Sequence, residues 1–223
     1  MSWIFDVIEI IGVIAFAVAG SMMAIDREAD FFGVLFCAFM TCFGGGVMRD
    51  LFIGGKMPAF FTDYHLETAV CAATSILVFF LAKFFKRVYI KREKLVDSIV
   101  NIFDALGLGI FVVYSTGVAI AANCSAFASI VIGMTAGTGG GLIRDLVLRD
   151  IPIILRKRIY AVAAIVGAAV YYVIAVYLSN ELLATSLGLS VVFALRVCAT
   201  VFKWNMPKAI VFSEVKLDGD EGN

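Results

Sequence analysis

Gly44-Gly45-Gly46-Val47-Met48-Arg49-Asp50 and Gly139-Gly140-Gly141-Leu142-Ile143-Arg144-Asp145 are one seven-residue pattern written twice, ninety-five positions apart. Each copy lies late in a long apolar run. A helix loses about 1 kcal/mol for each Gly relative to Ala, so three in succession predict a break or kink. In lipid, a break frees backbone N–H and C=O groups that then need partners in protein or in a water-lined cavity. The pattern thus predicts two broken helices, related by an internal repeat, meeting at a polar site inside a membrane protein.

The composition around these stretches points the same way. The chain is 62% hydrophobic, with 20 Phe against 3 Pro and a single His, and its mean hydropathy is +0.99. Soluble domains average nearer half apolar, whereas spanning the hydrocarbon core takes about 20 apolar residues in helix. Net charge is zero at pH 7, which gives no footing for a nucleic-acid partner. The cysteines (Cys37, Cys42, Cys71, Cys124, Cys198) are scattered, without a CxxC or a Cys/His cluster, so neither a metal centre nor a disulfide framework is expected. Ala17-Val18-Ala19 mimics a cleavage site, but Asp6 and Glu9 precede it with no Lys or Arg. The first run is therefore read as a retained span.

Seven spans follow, at about 5–25, 32–55, 66–85, 98–122, 126–148, 159–178 and 184–202. Outside the spans, fourteen Lys and Arg fall on one face and Lys56 alone on the other. By the positive-inside rule the C-terminus is cytoplasmic and the N-terminus outside. Phe5-Asp6 and Phe103-Asp104 open spans one and four, and Pro58 and Pro152 follow the two Arg-Asp pairs. The repeat unit is three helices, an odd number, so the second unit enters from the opposite face. The expected fold is an all-α polytopic membrane protein with two inverted three-helix repeats plus a seventh helix. Repeat 1 covers about 4–85 and repeat 2 about 98–178, with the seventh helix at about 184–202. Residues 1–202 form one membrane domain, and 203–223 a cytoplasmic tail with a disordered acidic end. Inverted repeats place solute sites near the midplane at the repeat interface.

Asp6-x5-Gly12-x3-Phe16-Ala17-x2-Gly20, the first glycine pattern, Asp104-Ala105-Leu106-Gly107-Leu108 and the second glycine pattern together resemble the trimeric intracellular cation channel family. Its bacterial members are also labelled a glycine-transporter-type family. The resemblance covers about residues 4–200. It implies a homotrimer in the inner or plasma membrane, with one pore in each protomer. It further implies kinks at Gly44, Gly45, Gly46, Gly139, Gly140 and Gly141 beside that pore, and passage of monovalent cations, potassium above all. No cofactor is implied, and no metal beyond potassium in transit.

Other residues carry expectations of their own. Arg49 and Arg144 sit one helical turn past the middle glycine, at a depth where a charge needs a cavity or a partner. Adjacent helix positions do not face each other, so Asp50 and Asp145 are poor partners for their own arginines. Asp6, Asp104 or the opposite repeat's Asp are the expected ones; snorkelling to an interface is the alternative. Arg49, Arg144, Asp50 and Asp145 would form or brace the pore barrier. Asp6 and Asp104 are expected to attract cations to a pore mouth. Ser21, Thr41, Ser115, Thr116, Thr135 and Thr138 offer hydroxyl ligands to a partly dehydrated ion, although such hydroxyls more often bond their own backbone. The glycines have a competing reading too, as small residues for close helix approach. A secondary transporter of glycine or another small zwitterion shares this topology and stands as the alternative function. An enzyme is not expected, since no nucleophile–base or metal pattern is present.

Overall fold

The computed structural model describes residues 3–54, 57–62, 65–156, 159–202 and 204. The expectations for the tail lie outside these residues, Trp204 excepted. Seven helices among the described residues are long and apolar enough to cross a membrane. They are α1 (Trp3–Asp26), α2 (Phe31–Ile53), α3 (His65–Phe84), α5 (Glu93–Ala121), α6 (Ala126–Val147), α8 (Ile159–Tyr177) and α9 (Glu181–Val201). A 3-10 turn (Ala59–Phe61) and two short helices, α4 (Lys86–Lys91) and α7 (Ile153–Arg156), lie in the connections.

The repeat is written into the turns as well as the helices. Asp30 and Ser125, ninety-five apart, are the N-caps of α2 and α6. The amide of Gly33 donates to Asp30 Oδ1 at 2.7 Å, and that of Ala128 to Ser125 Oγ at 3.3 Å. Just before each cap, Glu28 and Asn123 adopt φ of 56° and 58°. Behind them the amides of Ala29 and Cys124 reach the carbonyls of Ala24 and Ala119, each at 3.0 Å. A polar side chain at the cap satisfies one of the orphan amides that every helix start leaves, so equivalent residues build equivalent turns.

Tertiary packing pairs the repeats across a pseudo-twofold axis: α1 lies on α5 and α2 on α6. Phe16 and Phe111 stack between α1 and α5, with ring centroids 5.1 Å apart. The seventh helix, α9, packs on α8 and α5, outside the repeat. Helix α3 buries only Cys71 and Ser75 and turns Leu77, Phe80, Leu81 and Phe84 outward. In lipid that outward apolar face needs no cover, which is the reverse of the rule for water-soluble folds. The thiols of Cys42 and Cys71 sit 3.6 Å apart between α2 and α3.

One end of the bundle, the basic end, carries the stretch Lys83 to Lys94, with Lys86, Arg87, Lys91 and Arg92 between. There Tyr89 of α4 donates to Asp26 Oδ1 at 3.0 Å at the end of α1. Burial, and then the Asp26 carboxylate, push its phenol above the usual range. Arg27 binds Asp150 at 2.7 Å across the α1–α2 and α6–α7 connections. Starts of α2 and ends of α6 therefore meet at this basic end, and the Arg49 end of α2 lies at the other. A cavity of about 920 Å3 opens at the basic end, lined by Asp26, Arg27, Lys83, Lys86, Tyr89 and Asp97 among others.

Candidate functional site

The expected helix breaks are absent. Both α2 and α6 run as continuous helix through their glycine triplets, and no triplet glycine has positive φ. The reason lies in the solvent. The propensity cost of a glycine is about 1 kcal/mol, whereas each backbone group left unsatisfied in hydrocarbon costs several. What the glycines change is the crossing. A Cβ on Gly45 would collide with the carbonyl oxygen of Ala136, and one on Gly140 with that of Thr41. A Cβ on Gly44 would lie 2.8 Å from Ile143 Cδ1, and one on Gly139 2.7 Å from Met48 Sδ. Residues 41 and 136, 45 and 140, and 48 and 143 are all repeat equivalents. The two helices touch backbone to backbone at the axis, and each presents to the other what it receives.

The third glycine of each triplet has a different task. A Cβ on Gly46 would meet nothing nearer than Arg49 Nη2, at 4.0 Å; one on Gly141 would meet Tyr160 Oη at 3.2 Å and Arg144 Nη2 at 3.4 Å. Helical side chains lean back toward the N-terminus over the preceding turn. A glycine three positions earlier therefore leaves room for the arginine's own guanidinium.

At the basic end Arg144 is fully buried, with Asp104 and Asp145 at 1% exposure and Arg196 and Tyr160 at 2%. Arg144 Nη1 lies 3.2 Å from Asp104 Oδ1, and its Nε donates to Asp145 Oδ1 at 2.9 Å. Its Nη2 is 2.8 Å from the same Asp145 oxygen, an ion-pair contact without hydrogen-bond geometry. Arg196 Nη2 donates to the other Asp104 oxygen at 3.2 Å, and its guanidinium lies 4.5 Å from the Tyr160 ring centroid. The second oxygen of Asp145 accepts the Ile153 amide at 2.8 Å. Five elements, α5 to α9, are thereby tied through two carboxylates and two guanidinia.

At the far end Arg49 is 3% exposed. Its Nε donates to Asp50 Oδ1 at 2.7 Å, and its guanidinium stands 5.4 Å from the Tyr114 ring centroid. The Asp50 side chain keeps 15% exposure. Asp6 falls in α1, and its side chain lies outside the described set.

Two expectations need correction here. Both arginines do bond the aspartate that follows them, because the long guanidinium stem wraps around the helix where the Cβ spacing alone forbids contact. Asp104 is indeed a partner of Arg144, but it is no cation attractor: both its oxygens already hold guanidinia. Arg196, too, pairs internally, through Nη2 on Asp104 Oδ2. Among the hydroxyls, Thr41, Thr116, Thr135 and Thr138 donate to carbonyls four residues back at 2.6 to 2.8 Å. The hydroxyls of Ser21 and Ser115 are buried without a hydrogen-bond partner. Sequence reasoning missed Tyr160 and Tyr114; an aromatic one helix away from an arginine leaves no local signal.

Known proteins resemble this chain in sequence and fold. The family model described as Glycine transporter matches residues 6–83 and 101–176, one stretch in each repeat. The UPF0126 inner membrane protein YadS of Escherichia coli K12 is 32% identical over 203 residues, covering 89% of this chain and 92% of its own. A prokaryotic TRIC channel crystallised in 0.5 M KCl superposes with a TM-score of 0.83 at 29% identity, over 92% of this chain and 100% of that one. The TRIC trimeric intracellular cation channel orthologue from Rhodobacter sphaeroides gives 0.80 at 27% identity, over 91% and 100%.

Proposed function

The chain belongs to the glycine transporter family, the family of the prokaryotic TRIC channels, and from that premise we propose that it is an integral membrane cation channel, potassium-permeable, with one path in each protomer of a homotrimer. The superposition on a TRIC channel, nearly full-length for both chains and with 29% identity, is the observation that carries this reading. Residues 1–202 act as one membrane domain in the inner membrane, with the N-terminus outside and the basic end facing the cytoplasm.

The path runs beside the α2–α6 crossing. It cannot run between those two helices, since their backbones are already in contact at Gly45 and Gly140. Gly46 and Gly141 mark its waist, because they are the triplet members that face a guanidinium instead of the opposing helix. Arg49 and Arg144 then stand at opposite ends of that waist. A paired arginine beside a cation path acts as an electrostatic barrier, and Ser21 and Ser115 offer oxygens to a passing ion.

Planar bilayer recording of the purified protein under a potassium gradient tests the reading. Unitary currents reversing toward the potassium equilibrium potential are expected. The description of the matched family favours a second reading, a carrier of glycine. Saturable glycine uptake into vesicles without unitary currents would sink the channel in favour of it.

A further inference from the structure

The repeat relates α1, α2 and α3 to α5, α6 and α8, and leaves α9 without a counterpart. The second repeat sets one arginine against two aspartates, Arg144 with Asp145 and Asp104. By formal charge that set is one unit negative. In the second repeat that excess is cancelled by Arg196, which reaches in from α9 with its Nη2 on Asp104 Oδ2 at 3.2 Å. Its guanidinium is wedged against the Tyr160 ring and is 2% exposed. Its Nε has no hydrogen-bond partner, so Asp104 and the ring are what hold it. The groups that meet there are Asp104 of α5, Arg144 and Asp145 of α6, Tyr160 of α8 and Arg196 of α9. Their sum is neutral.

We propose that Arg196 is a resident counter-cation: it occupies the position on Asp104 that a permeant monovalent cation would otherwise take, and so sets the barrier at the basic end of the path. The seventh helix is then the element that neutralises the buried charge at this end. A buried carboxylate with one guanidinium removed attracts a mobile cation in its place, because a cleft with low-dielectric walls concentrates the field of a single charge. Arg196 acts through Asp104 and is a positioning residue.

This inference rests on the channel reading, and one set of recordings separates the two. Wild type, R196Q and the charge-balanced pair R196Q/D104N are compared in potassium chloride, after gel filtration shows that each assembles alike. R196Q is expected to raise unitary potassium conductance by about ten-fold, the low end of the counter-ion enrichment a charged, low-dielectric cleft produces. Adding D104N is expected to bring it back near the wild-type level, which a merely structural role would not do. R196L, apolar and suited to burial, serves where R196Q fails to assemble, with the same rise expected. A conducting wild type whose R196Q and R196L forms carry unchanged or smaller currents overturns the inference and leaves the channel standing. Silence in every form overturns both.

Discussion

The two ends of the α2–α6 crossing start from the same seven-residue pattern and finish differently. At the basic end Arg144 is held by two carboxylates, and Arg196 and Tyr160 close over the site until nothing in it exceeds 2% exposure. At the far end Arg49 binds Asp50, whose side chain stays 15% exposed, and its guanidinium stands 5.4 Å from the Tyr114 ring centroid. The axis itself is symmetric: Gly45 and Gly140 meet equivalent carbonyls. The repeat therefore accounts for the crossing, and the seventh helix supplies the basic end with Arg196. One copy of a motif can brace while its twin stays adjustable, provided an element outside the repeat supplies the difference.

The sharpest way to break this comparison is at the carboxylates. Asp104→Asn leaves two buried guanidinia sharing one aspartate and should cost about 3–5 kcal/mol. Asp50→Asn, at the partly exposed end, should cost about 1 kcal/mol. Thermal unfolding of the two variants in the same detergent measures the gap. Equal losses would mean that the ends are equally closed.

The glycines test the symmetric part. Gly45→Ala and Gly140→Ala should destabilise by similar amounts, about 1–3 kcal/mol or more, because each Cβ meets backbone and not a flexible side chain. Gly46→Ala should cost well under half as much, since its Cβ has room. A Gly46→Ala loss matching that of Gly45→Ala would erase the division of labour within the triplet.

The smallest effect expected is at the caps. Asp30→Ala and Ser125→Ala each remove one side-chain acceptor at a helix start and should cost about 1 kcal/mol apiece. Chemical unfolding should show the two within a few tenths of each other, as equivalent turns require.

Much of the fold was legible in order along the chain. Hydropathy and length place each of the seven spans within a few residues of its helix, as at 126–148 against Ala126–Val147. The site was less legible, because its contacts join residues 40 and 92 positions apart, Arg144 and Arg196 with Asp104. Nothing local to Arg196 says which carboxylate it will find.

By itself the sequence determined that the chain spans a membrane, that its two halves are one unit repeated, and that an odd number of helices turns the second unit over. Those are consequences of hydropathy and counting, which are local or additive. Only the tertiary structure decided what the glycine triplets do. Read singly, a glycine weakens a helix; set against another glycine helix in lipid, it permits a contact that keeps the helix whole. The same holds for Asp104. A lone carboxylate attracts cations, but one already bound by two guanidinia has no charge left to offer, and that depends on where α6 and α9 cross α5.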